Sequence, residues 1–247
     1  MYRDLDFKVL TLQEIHRVLA ALQVRRTHRS ELVSGNGWIN LIVFRLSCCC
    51  GLRSKEIQHL RLSDLKLEGD RPFIRVREGA TKGSGRGRRV PLWWDESTLS
   101  DLTEWKLYRL ATEDPHARVV RAKNQTHDMI QRNKLFNRWK NCLKVLGAER
   151  QSSLTIHCGR HTFISVSLHM GKSLVEVQRA AGHASILTTQ IYLHLIPSNE
   201  RTNIFSLEQK HGEEENNAET SDKNNAESGR SIYSPRAAVA SGRRAAA

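Results

Sequence analysis

One stretch of the chain, residues 155–194, concentrates side chains that can bind a phosphodiester and attack it. His157 and Arg160 lie three residues apart, so on a helix they share a face with about 5–6 Å between them. Thr155 is a suitable N-cap, and the first turn behind it favours an anion through its free N–H groups and the helix dipole. His161 is expected to point aside. Taken alone, the His–Arg spacing is more typical of a solvated helix face.

A tyrosine lies near the end of the same stretch. His183 comes directly after Gly182 in the loop before a short helix, and Tyr192 lies about two turns further on. The chain has four tyrosines, and this one alone is close in sequence to an imidazole and arginine cluster. A phenol with a pKa of about 10 attacks poorly unless a base and cations stabilise its phenolate. In isolation, a surface tyrosine here would be unremarkable.

Two cationic side chains lie upstream of this stretch. Arg53 begins a short helix after Gly51, and Glu56, one turn later, can orient its guanidinium; the alternative is a routine surface ion pair. Lys82 lies at the tip of a glycine-rich, basic hairpin. A loop that grips DNA phosphates non-specifically is the alternative interpretation of Lys82.

The charge balance indicates a polyanionic partner. The 247 residues carry a net charge of +13. From Glu213 to the end, five Lys and Arg stand against six Asp and Glu, a net of −1, which leaves +14 on residues 1–212. Nucleic acid is the first candidate for such a surface and an acidic membrane the second.

The cysteines and the hydropathy pattern indicate a reducing cytosol and no membrane partner. Five cysteines form no paired framework, and we find no signal peptide and no apolar run of transmembrane length. A metal site at the candidates His157, Cys158, His161 and Cys142 is not predicted, because no C-x₂-C pair accompanies the two histidines and Cys142 stands alone.

Apolar periodicity predicts a mostly helical domain with a small sheet. Residues 72–77 and 88–92 read as two strands of a hairpin, and a third short strand is expected at 118–121. An apolar helix over 38–50 should end at Gly51, and a second helix should run from Ile156 to Met170. One more helix is predicted within residues 198–210, and residues 211–247 are expected to be a disordered tail.

Four sequence blocks occur in a specific order. They are Gly51-Leu-Arg53-Ser-Lys-Glu56, then Thr81-Lys82-Gly with Arg88-Arg-Val-Pro-Leu92, then His157-x-x-Arg160-His161, then Gly182-His183 with Thr188-Thr-Gln-Ile-Tyr192. In this order they resemble the catalytic domain of tyrosine recombinases, the phage-integrase family, over about residues 10–196. The tyrosine nine residues after His183 is the most specific part of the resemblance.

The resemblance implies a fold and a set of site residues. The fold would be α+β and predominantly helical, a tyrosine-recombinase-type catalytic domain with a small antiparallel sheet. Residues 1–210 would form this domain, with segment 198–210 docking into a neighbouring subunit. The implied roles are Tyr192 as nucleophile, Arg53 and Arg160 binding the non-bridging oxygens, His183 adding a hydrogen bond, Lys82 as general acid and His157 assisting proton transfer at the tyrosine.

The activity implied is a site-specific DNA recombinase, integrase or invertase. It would cut and rejoin double-stranded DNA through a 3′-phosphotyrosine intermediate without a metal, cofactor or ATP, as a homotetramer on two duplexes. Accessory DNA-bending proteins and a cytoplasmic, nucleoid-associated location are further implications. The alternatives are a type IB topoisomerase-like activity and a DNA-binding remnant or regulator that does not recombine DNA.

Three departures from the family pattern stand out. Most family members have a helical core-binding domain before the catalytic domain. Here only about ten residues precede the matching region, as in the small fimbrial-switch invertases. Gly159 replaces the usual leucine, which is expected to weaken packing and helix propensity beside Arg160. The loop after Lys82 is slightly long.

Overall fold

The computed structural model describes residues 8–27, 36–79, 87–121 and 129–193. All of them belong to one compact unit whose bounds are Met1 and Arg201. The predicted docking segment at 198–210 and the predicted tail at 211–247 lie outside the described residues.

Helices dominate the described part. They are α1 Leu12–Thr27, α2 Asn36–Phe44, α3 Ser54–His59, α4 Glu96–Leu110, α5 Arg132–Cys142, α6 Ala148–Ser153, α7 Ile156–His169, α8 Leu174–Ala181 and α9 Leu187–Gln190. The strands are β1 Leu65–Lys66, β2 Phe73–Val76 and β3 Arg88–Pro91. In these ranges no helix combines the length and the apolar character that crossing a bilayer requires.

The three strands form one antiparallel sheet in the order β1-β2-β3. Leu65, Ile74 and Val90 pair across it and are fully buried, whereas the neighbouring Arg75 and Arg89 point away from the core, as the alternation of a strand requires. Both predicted hairpin strands are confirmed. The third strand expected at 118–121 is wrong, since Arg118 forms only an isolated bridge outside the strands.

The centre of the core is the contact between α7 and the end of α2. Helix α2 is buried nearly all round and continues as a π-helical turn, Arg45–Cys49, which packs against α7. Gly51 follows with a φ of +64°, and a Cβ there would lie 2.3 Å from Cδ1 of Phe163. Glycine is therefore required both by the left-handed backbone and by the close aromatic ring.

Gly159 on α7 is a close-packing residue, which corrects the expectation that it weakens the packing. A Cβ at this position would lie 2.2 Å from Oγ of Ser47 and 3.0 Å from its carbonyl carbon. Ser47 in turn donates a hydrogen bond of 2.9 Å to the carbonyl of Ile156. A leucine side chain has no room here, so the missing side chain is what lets α7 lie against the π-helical turn.

Gly159→Ala is expected to destabilise the protein although alanine favours helix by up to about 1 kcal/mol. Overpacking against Ser47 should lower the free energy of unfolding by about 1–3 kcal/mol, measured by urea denaturation. The double variant Ser47→Ala/Gly159→Ala should recover part of the loss, because the closest clashing atom is removed. A single variant as stable as the wild type would contradict the close-packing role.

Candidate active site

Arg160 is held by the main chain of two separate segments. Its side chain is 5% exposed, Nη1 donates 2.8 Å to the carbonyl of Gly51, and Nη2 donates to the carbonyl of Ala181. Among the described residues these bonds occupy two of the five N–H donors of the guanidinium. The turn at Gly51, after the π-helical segment, and the end of α8 therefore fix the position of Arg160 and leave donors for a ligand.

Glu56 joins Arg53 to a second arginine, Arg88. Glu56 is 2% exposed, and its carboxylate accepts from the backbone N–H of Arg53 at 2.8 Å and from its Nη1 at 3.1 Å. Arg88 donates to both oxygens, Nη1 to Oε1 at 2.5 Å and Nη2 to Oε2 at 2.8 Å. Burial by itself would raise the pKa of Glu56, but the hydrogen bonds and charges of Arg88 and Arg53 outweigh it and hold the pKa below its ordinary value.

Arg88 is a site residue that sequence reasoning missed. It begins β3, where it was predicted only as a strand residue, and its Nε donates 2.8 Å to the carbonyl of Ala180. The arginine therefore ties the base of the hairpin both to Glu56 and to the end of α8. In the sequence, a basic residue at the start of a strand is only a weak indication of a site residue. Its contact with Glu56, 32 residues away, becomes visible only in the folded protein.

Helix α8 delivers His183 to the same place. Ser173 caps the helix by accepting from the N–H of Glu176, and Gly182 ends it with a φ of +69°. Nδ1 of His183 lies 2.9 Å from Oγ1 of Thr189. Burial first, and then the positive charges of nearby arginines, lower the pKa of His183 to about 4, so the imidazole is neutral at pH 7.

Tyr192 lies directly after α9 and is almost completely enclosed. Its side chain is 4% exposed, and its hydroxyl oxygen lies 2.6 Å from Nδ1 of His161. The ring stacks between two imidazoles, with centroid distances of 5.6 Å to His161 and 6.3 Å to His183. Burial raises the pKa of the phenol, and the positive charge of Arg160 opposes this rise.

His161 is a second residue that sequence reasoning missed, and the expectation that it points aside is corrected. It lies four residues after His157, hence one turn further on the same face of α7, and this spacing could have revealed it.

His157 is exposed at the surface of α7 and has no hydrogen-bond partner among residues 8–27, 36–79, 87–121 and 129–193. Partial burial and the charges of Arg132, Arg160 and Arg53 lower the pKa of His157.

The predicted site residues thus gather at one place, with one exception. Arg53, His157, Arg160, His183 and Tyr192 come together around the start of α3, the start of α7 and the end of α8. Lys82 lies outside the described residues, between strands β2 and β3, so its position remains a prediction. Within the described ranges, no three His, Cys, Asp or Glu side chains are grouped as metal ligands.

The electrostatics of the cluster favour an anion. Three guanidinium groups, those of Arg53, Arg88 and Arg160, surround the single carboxylate of Glu56, a net of two positive charges. Burial first, and then the charges of Arg53 and Arg88, lower the pKa of Arg160 to about 9. Like charges held this close repel one another, so a bound phosphate would relieve the repulsion.

Known proteins with similar sequences are recombinases. The tyrosine recombinase XerC of Corynebacterium glutamicum is 34% identical over 160 residues, which are 64% of this chain and 47% of that protein. Tyrosine recombinase XerA of Saccharolobus solfataricus is 31% identical over 155 residues, 63% of this chain and 45% of that protein. The chain spans about half the length of these relatives.

Solved structures show the same fold. XerA recombinase aligns with a TM-score of 0.58 and 24% identity, covering 75% of this chain and 60% of that chain. XerH site-specific recombinase, bound to a palindromic difH substrate in a post-cleavage complex, aligns with a TM-score of 0.59 and 22% identity over 76% of this chain and 50% of that chain. The predicted fold class is confirmed: a mostly helical tyrosine-recombinase catalytic fold with a small antiparallel sheet. The family model described as phage integrase family matches residues 8–198, which is most of the chain, and the chain belongs to that family.

Proposed function

We propose that this chain is a site-specific DNA recombinase that cuts and rejoins DNA through a 3′-phosphotyrosine intermediate, without metal or ATP. The observation that carries the proposal is the enclosure of Tyr192 beside the buried Arg160 and the partly buried Arg53 and Arg88, which together with Glu56 carry a net positive charge. A phosphodiester supplies the anion that this group lacks. The phenol supplies a nucleophile whose product keeps the energy of the phosphodiester bond, so rejoining needs no external energy source.

The proposed reaction assigns a role to each predicted residue. The oxygen of Tyr192 forms a bond to the scissile phosphorus, and the bond from phosphorus to the 5′-oxygen breaks. Arg53 and Arg160 donate to the non-bridging oxygens, because planar, charged donors suit the charge that develops there. His183 adds a hydrogen bond to the same oxygens, and Lys82 gives its proton to the leaving 5′-oxygen. His157 lies at the solvent-exposed side of the cluster. Its proposed role, assistance in proton transfer, rests on the family resemblance.

The assembly is part of the same proposal. Recombination joins two duplexes, so we propose a homotetramer on double-stranded DNA, assisted by DNA-bending proteins and located in the nucleoid-containing cytoplasm. Segment 198–210 would dock into a neighbouring subunit, and its Ile204, Phe205 and Leu207 are the apolar residues suited to that contact. XerH site-specific recombinase bound to its palindromic difH substrate and the Tn1549 transposon integrase in complex with circular intermediate DNA have a similar fold, which supports DNA as the partner.

Tyr192→Phe is expected to abolish covalent attachment to DNA. The protein is incubated with nicked suicide substrates that carry the DNA flanking its own gene, and adducts that survive denaturant are separated by gel. The wild type should form an adduct and Tyr192→Phe none, because the phenylalanine ring keeps the packing but has no nucleophilic oxygen. Tyr108→Phe is the matched control, since Tyr108 lies exposed on α4 and should leave the adduct unchanged.

Two outcomes would contradict the proposal. An adduct that persists in Tyr192→Phe would remove Tyr192 as the nucleophile, and a wild type that binds the DNA without any adduct would favour a regulator. An adduct accompanied by plasmid relaxation, but by no recombinant product, would favour the topoisomerase-like activity.

A further inference from the structure

The hydroxyl of Tyr192 has a defined partner that the roles above leave unused. Its oxygen lies 2.6 Å from Nδ1 of His161, and the two rings stack at 5.6 Å between centroids. His161 is half-buried on the inner side of α7, and Tyr192 is fully enclosed. A nucleophile therefore meets an imidazole nitrogen at hydrogen-bond distance before any substrate is bound.

We propose that His161 is the proton acceptor of Tyr192, the group that takes the phenolic proton as the tyrosine attacks phosphorus. This inference rests on the proposed function and adds a catalytic residue to it. His161 would be the immediate acceptor of the phenolic proton, since it contacts the tyrosine hydroxyl. His157, which the family resemblance places in proton transfer, has no such contact among the described residues.

The geometry separates His161 from the other two imidazoles. Nδ1 of His183 is engaged with Oγ1 of Thr189 at 2.9 Å, and the ring of His183 meets Tyr192 only by stacking. His157 lies one turn away on α7 and makes no hydrogen bond to Tyr192 among the described residues. A candidate base must first be within reach of the proton, and His161 alone of the three meets this condition.

The surroundings keep His161 in the form that can accept a proton. Burial is the main reason that its pKa lies at about 4, so the ring is neutral at pH 7. The titratable and charged groups that face it are Lys8, His157, Arg160, His183 and Tyr192. With Nδ1 unprotonated and Nε2 carrying the hydrogen, the tyrosine hydroxyl donates to Nδ1.

Substrate binding would make His161 a stronger base. A phosphodiester brings a negative charge between the arginines, which cancels part of the positive field that acts on the imidazole. The pKa of His161 then rises towards its ordinary value when the reaction needs a base. A weakly basic His161 in the free protein is therefore compatible with its role as proton acceptor in the DNA complex.

The proton balance of the cleavage step is complete. As the oxygen of Tyr192 bonds to phosphorus, its proton moves to Nδ1 of His161, which becomes imidazolium. The bond from phosphorus to the 5′-oxygen breaks, and Lys82 protonates that oxygen. In the rejoining step the 5′-hydroxyl returns its proton to the lysine, and His161 returns its proton to the departing tyrosine.

His161→Asn is the test variant, because an asparagine oxygen can occupy the place of Nδ1 and accept the hydrogen bond but does not take up the proton. We expect single-turnover cleavage of the suicide substrate to fall by about 10²-fold or more. DNA binding and thermal melting should stay close to the wild type. His169→Asn, near the end of the same helix, is the matched control and should cleave normally.

A substrate with sulfur in place of the 5′-bridging oxygen distinguishes the proton transfer from Tyr192 from the proton transfer to the leaving 5′-oxygen. A thiolate leaves without protonation, so this substrate should rescue Lys82→Ala and leave His161→Asn slow.

The pH dependence of cleavage gives a second test. The wild-type cleavage rate should rise with pH until the imidazole of His161 in the DNA complex is neutral and then level off. The cleavage rate of His161→Asn should lack this rise.

The outcomes separate the inference from the proposed function. Cleavage by His161→Asn at the wild-type rate would overturn the inference, and so would its rescue by the sulfur substrate. Loss of cleavage in His157→Asn together with normal cleavage in His161→Asn would return the role to His157. If Tyr192→Phe still forms an adduct, it is the proposed function that fails.

Discussion

Glu56→Gln is expected to lower the free energy of unfolding by about 3–5 kcal/mol, the usual consequence of removing one partner from a buried ion pair. The side chain keeps its size, so packing is preserved. The charge that neutralises Arg88 and orients Arg53 is lost, however, and both guanidinium groups would then repel one another and Arg160. Urea denaturation measures the loss of stability, and suicide-substrate cleavage should fall with it.

Glu104→Gln provides the control for this experiment. Glu104 pairs with Arg26 at the surface, at 2.9 Å and with more than half of its side chain exposed. Such pairs contribute about 0–1 kcal/mol, so this variant should unfold nearly as the wild type does. Equal stability losses in the two variants would show that Glu56 does not have the special role assigned to it.

The difference in the free energy of unfolding between the wild type and Glu56→Gln should also depend on pH. The folded-state pKa of Glu56 is lowered, so its contribution is present above the unfolded-state pKa and is lost as the pH falls through the folded-state value. The two proteins should therefore converge in stability under acid conditions.

Arg160→Lys should reduce the rate of DNA cleavage by about 10²–10³-fold, the range seen when one preorganised donor to a developing negative charge is removed. A lysine keeps the positive charge, but its single ammonium cannot span the carbonyls of Gly51 and Ala181 and still present a pair of donors to phosphate. Single-turnover cleavage measures this loss. DNA affinity should change far less, because the net charge is the same.

Arg179→Lys is the matched control for Arg160→Lys. Arg179 is exposed on α8, a few residues before the site, so its replacement should alter neither cleavage nor affinity. Wild-type cleavage by Arg160→Lys would show that charge alone, without the bidentate geometry, stabilises the transition state.

Local patterns in the sequence predicted much of the fold. The hairpin strands, the helix that begins at Ile156 and the glycine turn at Gly51 were predicted, because each depends on backbone preferences of a few neighbouring residues. The residue types of the site and their order along the chain were likewise sufficient to indicate the family. Lys82 and the segment after His194 stay predictions, since they lie outside the described residues.

The partners within the site could not be predicted in this way. Glu56 and Arg88 are 32 residues apart, and His161 and Tyr192 are 31 apart. Gly159 meets Ser47 across an interface between separate helices. Such contacts depend on how helices and strands pack against one another, which the spacing of residues along one element does not encode.

By itself, then, the sequence determined which side chains are available to the site: arginines, imidazoles and one tyrosine near the ends of short elements, on a strongly basic chain. Only the tertiary structure decided which imidazole touches the tyrosine and which arginines share the buried carboxylate. The physical reason is that hydrogen bonds act over about 3 Å, so roles are assigned by contacts that form only when distant segments fold together.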